Sequence, residues 1–283
     1  MKVIDQTLLE RVIIERPCHS HKGDYGRLLL LGGTYPYGGA IIMSAIAAVK
    51  SGAGLVTVGT DKENIPALHS HLPEAMAFSL QDQQLLKEQL EKAEVILLGP
   101  GLREDAFGEE LVKRVCNSLR KDQIMIADGG ALGILAKAHL TFPSSQLILT
   151  PHQKEWERLS GIVLDHQNTE ATARALSAFP KGTILVEKGP ATRIWQAGQS
   201  EYYRLQVGGP YQATGGMGDT LAGMIAGFTG QFHQVSLYER VVVATHLHSA
   251  IAQELAQENY LVLPTEISKL LPKAMKKISQ KGS

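Results

Sequence analysis

The amino-acid sequence predicts an α/β fold with a mainly parallel central sheet, and two observations carry that prediction. Short apolar runs, each the length of a buried strand, alternate along the chain with segments whose apolar residues recur at helical spacing. Several of the runs end in glycine-rich or polar turns. Alternation of this kind predicts right-handed strand–helix–strand crossovers, which place neighbouring strands parallel.

The first elements follow this pattern. Residues 4–14 predict a short amphipathic helix, which Pro17 prevents from continuing. Four leucines at 28–31, bounded by glycines, predict a buried strand, and the turn 32–39 leads into a small-residue helix over 41–51. That turn lacks the G-x-G-x-x-G order of a dinucleotide fingerprint, so a Rossmann NAD site is poorly supported.

The middle of the chain repeats the unit. Strands are predicted at 55–59, 75–78, 95–98, 124–127, 147–149 and 183–186. Helices are predicted between most of them, at 82–92, 104–120, 130–138, 152–160 and 168–178. Because ligands of open α/β sheets bind at the carboxyl ends of the strands, the turns at 99–101, 128–130, 150–152 and 188–190 should gather at one edge and form the site.

The last third begins with a predicted antiparallel hairpin, 191–195 with 202–205, and then becomes helical over 219–231, 235–257 and 265–279. Between them lies the glycine loop Thr214-Gly215-Gly216-Met217-Gly218-Asp219. A glycine loop that opens a helix offers unpaired amides and a positive dipole end to phosphate, with Asp219 in the first turn. The alternative is a glycine-rich turn with a capping aspartate.

Composition limits the classes of partner. The 28 basic and 28 acidic residues leave no net charge, so no global field favours nucleic acid or an anionic membrane. We expect small molecules or further copies of the chain as partners. The 283 residues are expected to form one domain, and the longest small-apolar run, 40–49, is too short to span a bilayer.

The cysteines and the N-terminal residues bear on the compartment. Cys18 and Cys116 lie far apart and form no CxxC pair, which suggests neither a disulfide framework nor a thiolate metal site. The first fifteen residues, with Glu10 and Glu15 among them, lack the apolar core of a secretion signal. A reducing cytoplasm is the expected location.

Several motifs together resemble one family. They are His21 to Gly26 (HKGDYG), Ser51 to Val56 (SGAGLV), Gly99 to Leu102 (GPGL), Asp128 to Leu132 (DGGAL), Leu149 to His152 (LTPH), Glu187 to Gly189 (EKG) and Gly215 to Asp219 (GGMGD). In this order and spacing they resemble the ADP- or ATP-dependent NAD(P)H-hydrate dehydratases, over nearly the whole chain. The resemblance implies a ribokinase-like three-layer α/β/α sandwich.

The resemblance also implies an activity. Family members repair NADH and NADPH in which water has added across the 5,6 double bond of the nicotinamide ring. The 6-hydroxyl of the S form is phosphorylated by ADP or ATP, and phosphate then leaves, which restores the cofactor. This chemistry suits a site that holds a general base beside phosphate-binding amides.

Site residues are implied by the same resemblance. Asp219 would be the general base, and the amides of Gly215, Gly216 and Gly218 would hold the transferred phosphoryl group. The hydrated cofactor would contact Ala40, Gly101, His152 and Asp219. The adenine nucleotide would contact Lys188, Gly189, Pro190, Ala191, Thr192 and Gly218.

Simpler interpretations stay open for individual residues. His152 is also a candidate surface or N-cap histidine, Lys188 a solvated strand-end lysine and Asp128 a helix cap. Glu155 stands where related kinases hold Mg²⁺ through water, yet it is equally a first-turn helix acid. His246 and His248 point in different directions on a helix and are not expected to bind metal.

The resemblance completes the list of expected partners: Mg²⁺ arriving with the nucleotide, a homotetramer, and a separate NAD(P)H-hydrate epimerase in the same pathway. Two rival functions share the glycine loop. One is a ribokinase-like kinase of a thiazole or pyridine alcohol, and the other is a non-catalytic nucleotide sensor. The pairing of Gly99-Pro100-Gly101 with Thr150-Pro151-His152 favours the dehydratase over the kinase, and the intact glycine loop with Asp219 argues against the sensor.

Overall fold

One nine-stranded sheet forms the centre of the computed structural model, which describes residues 1–138 and 146–281. Its strand order is β3-β2-β1-β4-β5-β6-β7-β8-β9. The strands are β1 Arg27–Leu31, β2 Leu55–Thr60, β3 Met76–Ser79, β4 Val95–Leu98, β5 Ile124–Ala127, β6 Gln146–Leu149, β7 Ile184–Glu187, β8 Arg193–Gln196 and β9 Tyr203–Arg204. All pairings from β3 to β7 are parallel, whereas β8 and β9 are antiparallel, as the predicted hairpin requires.

Helices cover both faces of the sheet. In the described ranges they are α1 Gln6–Val12, α2 Gly38–Lys50, α3 Asn64–His71, α4 Gln83–Lys92, α5 Ala106–Ser118, α6 Gly130–Ala138, α7 Gln153–Ser160, α8 Thr169–Leu176, α9 Met217–Thr229, α10 Leu237–Leu255 and α11 Pro264–Ser279. Within those ranges, no helix is both long enough and apolar enough to cross a membrane.

The core consists of two apolar layers, one on each face of the sheet. Alternate residues of β1 enter opposite layers: Leu28 and Leu30 pack with α2, α9 and α10, whereas Leu29 and Leu31 pack with α4, α5 and α6. A strand with both faces buried is expected to be apolar throughout, which explains the unbroken leucine run. The three-layer α/β/α sandwich is therefore confirmed.

The predicted strands and helices are found within a few residues of their expected bounds, and one α-helix of the described residues was missed. Helix α3, Asn64–His71, was not predicted. It is short, contains Pro66 and buries one apolar side chain, Leu68, so its sequence carries little helical periodicity. Its existence depends on its place beside the sheet.

Helices α2 and α9 pack closely side by side and bring their N-termini together. A side chain at Gly223 would collide with the carbonyl group of Ser44, and one at Gly227 would collide with Ser51. The Ser44 hydroxyl also donates to the Asp219 carbonyl oxygen, at 2.8 Å. Since the contacts advance along both helices in the same direction, the helices are parallel and both begin at the carboxyl edge of the sheet.

Candidate active site

Three strand ends meet around one buried carboxylate. Asp128 follows β5 and is 2% exposed. Its Oδ1 accepts a hydrogen bond from Lys188 Nζ, after β7, at 2.8 Å and another from Thr150 Oγ1, after β6, at 2.7 Å. The polar turns therefore lie at one edge of the sheet, as predicted. The Asp128 carboxylate pairs there with Lys188 and Thr150.

The Lys188 ammonium lies at the mouth of the glycine loop. A β-carbon added to Gly218 would stand 3.1 Å from Lys188 Nζ. Burial by itself would lower the pKa of Lys188, but the nearby carboxylates of Asp128, Glu155 and Asp219 outweigh it and raise that pKa. The side chain thus stays protonated and presents a positive charge to whatever binds at the loop.

The glycine loop ends in an exposed helix N-terminus. Gly216 precedes α9 with a φ of 92°, a left-handed conformation that favours glycine. The intrahelical bonds of α9 start with the Thr220 amide, which donates to the Gly216 carbonyl at 3.0 Å, so the amides of Met217, Gly218 and Asp219 precede the ladder. Together with Lys188 they form a site suited to phosphate.

Asp219 is a half-buried acid in the first turn of α9. Burial and the negative charge of Asp128 raise its pKa to about 6, while Lys188 opposes the shift. A carboxylate with a pKa this close to neutrality is ionised at pH 7 yet basic enough to accept a proton during a reaction. Its position beside the loop amides fits the general-base role that the motif implies.

His152 and Glu155 form a capping box at the start of α7. The Nδ1 of His152 accepts hydrogen bonds from the Lys154 and Glu155 amides, at 3.1 and 3.2 Å, while Glu155 Oε2 accepts from the His152 amide at 2.8 Å. The N-cap interpretation of His152 is thus correct. It leaves Nε2 as the protonated nitrogen of the neutral ring, and the side chain is 53% exposed at the site edge.

The titration of both capping-box groups reflects their place near Lys188. Burial and the charges of Lys188 and Arg158 lower the pKa of His152, so the ring is neutral at pH 7. Burial raises the pKa of Glu155 to about 6, against the opposing effect of Lys188. Glu155 is therefore both a first-turn helix acid and a member of the acidic group around that ammonium.

Ala40 and Gly101 line the other side of the edge. Gly101 has a φ of 64°, and a β-carbon there would lie 3.0 Å from the Ala40 side chain. Backbone bonds fix this arrangement: the Gly33 amide donates to Pro100 at 2.8 Å, and the Thr34 amide donates to Gly101 at 2.9 Å. Because Ala40 belongs to α2, this surface adjoins Asp219 at the start of α9.

A cleft of about 500 Å³ opens beside the glycine loop. Its lining includes Lys188, Gly189, Pro190 and Thr192 from the β7–β8 turn, the segment 207–213, Gly218, and His248 with Ser249 from α10. Burial and the charge of Lys188 lower the pKa of His248 to about 4, so this buried ring is neutral. The turn itself is tied to β6, since the Lys188 amide donates to the Pro151 carbonyl at 2.9 Å.

Two features of this site were not predicted from the sequence. The pairing of Asp128 with Lys188 joins residues far apart in the chain, although an aspartate at a strand end was a usable signal. The contribution of segment 207–213 and of His248 to the cleft had no motif. Both depend on how α10 and the hairpin pack against α9.

The three-layer sandwich, with a glycine loop and paired charges at its carboxyl edge, places the chain in the ribokinase-like class. A ribokinase-like superfamily protein from Enterococcus faecalis has a similar structure, with a TM-score of 0.94 and 42% identity over 99% of this chain and 96% of that one. The ADP/ATP-dependent NAD(P)H-hydrate dehydratase of Bacillus subtilis, co-crystallized with ATP/Mg²⁺, gives a TM-score of 0.84 at 28% identity, with 97% of each chain covered.

Sequence comparison narrows the class to a family. The model of the NAD(P)H-hydrate dehydratases matches residues 28–273. The ADP-dependent (S)-NAD(P)H-hydrate dehydratase of Streptococcus pneumoniae is 80% identical over 280 residues, which is 99% of this chain and 97% of that protein. The chain belongs to the NAD(P)H-hydrate dehydratase family, and the resemblance seen in its motifs is confirmed.

Proposed function

We propose that this protein dehydrates the S form of hydrated NADH and NADPH at the expense of ADP, releasing AMP and phosphate. The names of the relatives support this reaction, and ATP as phosphoryl donor is the variant to compare. The observation that carries the proposal is the group formed by Lys188, Asp219 and the α9 N-terminus, which unites a phosphate site with a base.

Asp219 acts as the general base. Its carboxylate takes the proton of the 6-hydroxyl as that oxygen attacks the terminal phosphorus of ADP, and the bond to AMP breaks. Positioned general bases typically contribute roughly 10²–10⁴-fold to rate. A pKa of about 6 keeps Asp219 ionised at neutral pH.

The loop amides and Lys188 stabilise the transferred group. Negative charge that develops on the phosphoryl oxygens meets the amides of Gly216 and Gly218 and the Lys188 ammonium; removing one preorganised donor typically costs about 3–4 kcal/mol. Phosphate is a good leaving group, and the ring nitrogen lone pair assists its departure. Loss of a proton from C5 then restores the 5,6 double bond.

The two ligands occupy different halves of the edge. Hydrated cofactor lies against Ala40, Gly101, His152 and Asp219. The contact between Gly101 and Ala40 and the N-terminus of α7 at His152 form the two surfaces beside the base Asp219. The nucleotide occupies the cleft beside Lys188, Gly189, Pro190, Ala191, Thr192 and Gly218, from which Asp219 is one residue away. Phosphoryl transfer then occurs between the halves.

A magnesium ion fits the acidic group, as part of the same proposal. Mg²⁺ is usually held by one or two carboxylates together with substrate phosphates. Glu155 and Asp128 both face Lys188, and the described residues contain no cluster of three or more metal-binding side chains. Glu155 would hold the ion through water, and the ion would supply charge neutralisation to the nucleotide phosphates.

The remaining expectations stay proposals. Residues 1–283 act as one domain, since one sheet runs from β1 to β9. The family resemblance supports a homotetramer and a separate epimerase that supplies the S form, and the cysteine usage supports a cytoplasmic location.

One assay separates the dehydratase from its rivals. The protein is incubated with hydrated NADH and ADP, and the near-ultraviolet absorbance of reduced nicotinamide is followed while AMP and phosphate are measured. We expect NADH, measured by its absorbance, to form in the same molar amount as AMP and phosphate. A kinase of another alcohol would leave the hydrate unchanged, and a sensor would bind ADP without consuming it.

A further inference from the structure

The loop assigned to the nucleotide, residues 188–192, is closed at its base by a buried ion pair. Glu187 ends β7, Arg193 begins β8, and the two lie directly opposite each other in the antiparallel register. Arg193 Nε donates to Glu187 Oε2 at 2.9 Å, and Arg193 Nη2 donates to Oε1 at 2.5 Å. The Glu187 side chain is 5% exposed and that of Arg193 is 19% exposed, so this bidentate pair is largely removed from solvent.

The same pair is anchored to the neighbouring layer. The indole Nε1 of Trp195 donates to Glu187 Oε2 at 3.0 Å, and the Thr172 hydroxyl of α8 lies 3.4 Å from Oε1. Arg193 Nη2 also donates to the Gln167 carbonyl oxygen at 3.1 Å. The base of the loop is therefore fixed to α8 and to the segment before it.

A β-hairpin does not require buried charges at this place. Burying two ions is costly, and apolar residues of similar volume often give equal or greater stability. What a bidentate arginine–carboxylate pair adds is a fixed direction, because the planar guanidinium matches the two oxygens in a single geometry. The loop that it orients carries Lys188, whose ammonium must stand beside Gly218.

We propose that Glu187 and Arg193 are positioning residues for the nucleotide. Their ion pair holds loop 188–192 in the shape that binds ADP, while neither side chain transfers protons or phosphate. The inference rests on the proposed function, since it takes this loop to be the ADP site. It predicts that damage to the pair weakens ADP binding and spares binding of the hydrated cofactor.

The test compares two identical substitutions in one hairpin. Glu187→Gln removes the negative charge of the buried Glu187–Arg193 ion pair. Glu201→Gln removes the negative charge of the exposed Lys2–Glu201 ion pair beside β9. ADP affinity is measured by calorimetry, and KM is measured for each substrate, well below the unfolding temperature of each variant. We expect Glu187→Gln to weaken ADP binding about tenfold or more, because a displaced Lys188 loses a charge-assisted contact with the nucleotide phosphates.

Under the same conditions, Glu187→Gln should leave the KM for hydrated NADH unchanged, and Glu201→Gln should alter neither quantity. If Glu187→Gln does not fold, the double variant Glu187→Leu/Arg193→Leu replaces it, since paired apolar residues can restore stability without restoring direction. If a folded Glu187→Gln or Glu187→Leu/Arg193→Leu variant binds ADP with wild-type affinity, the inference is overturned. Wild-type protein that binds ADP yet fails to restore NADH overturns the proposed function alone.

Discussion

The two halves of the candidate site are constructed in different ways. The half assigned to hydrated cofactor is shaped by backbone: Gly101 packs on Ala40, and α2 lies directly against α9. The half assigned to nucleotide is shaped by charge, with Lys188 paired to Asp128 and Glu187 paired to Arg193, all largely buried. Substitutions at Gly101 and Ala40 should therefore act sterically, and substitutions of the paired charges should act electrostatically, with Asp219 between the two halves.

The largest effect is expected at that boundary. Asp219→Asn keeps the shape of the side chain but removes the base, so kcat should fall by roughly 10²–10⁴-fold. ADP binding should remain measurable by calorimetry, because the loop amides and Lys188 are unchanged. A variant that kept more than about a tenth of the wild-type kcat would contradict the general-base role.

The next effect tests the charged half. Lys188→Met removes the ammonium beside Gly218 and should weaken ADP binding by tenfold or more. The same change leaves the Asp128 carboxylate buried without its cation, and the loss of one partner of a buried ion pair typically destabilises a protein by about 3–5 kcal/mol. The matched double variant Lys188→Met/Asp128→Asn removes both charges.

The double variant should recover much of the stability but none of the ADP affinity. Thermal unfolding and calorimetry on the three proteins separate these two contributions. Full recovery of ADP affinity in the double variant would show that Lys188 serves only to neutralise Asp128.

A smaller effect is expected in the backbone-shaped half. His152→Asn keeps an N-cap side chain for α7 and removes the imidazole, so it isolates any contact that Nε2 makes with the substrate. Loss of one hydrogen bond of about 1 kcal/mol should raise the KM for hydrated cofactor about fivefold. The KM for ADP should hardly change. Steady-state kinetics with each substrate varied in turn measures both KM values. A rise confined to the KM for ADP would show that the two halves of the site are assigned the wrong way round.

The last effect acts on stability and its pH dependence rather than on binding or turnover. The folded pKa of Asp219 is raised from 3.8 to about 6, so the folded state disfavours its charged form, and this penalty is fully present above pH 6. Asp219→Asn should therefore stabilise the protein at pH 8, by about 2 kcal/mol when partial exposure is allowed for.

That advantage should shrink as the pH falls from 6 towards 4, where the wild-type carboxylate also becomes neutral in the folded state. Thermal unfolding of both proteins at pH 8 and pH 5, at equal ionic strength, measures the difference. An advantage that did not depend on pH would assign the stabilisation to packing rather than to charge.

The sequence by itself determined most of the strands and helices and the place of the glycine loop. Strands such as β1 and β4 are buried on both faces, so their unbroken apolar runs were sufficient to predict them. The glycine loop and Asp219 were predictable because the loop conformation and the first helical turn are local properties. Those signals depend on neighbours in the chain, which a sequence displays directly.

Tertiary structure alone decided which of these residues act together. Lys188 meets Asp128 because β7 and β5 flank β6, and Asp219 adjoins Ala40 because glycines let α9 approach α2. The raised pKa of Asp219 has the same origin, since it arises from burial and from Asp128, a residue distant in the chain. Distances between separate elements and the dielectric around a charge are properties of packing, which no local pattern encodes.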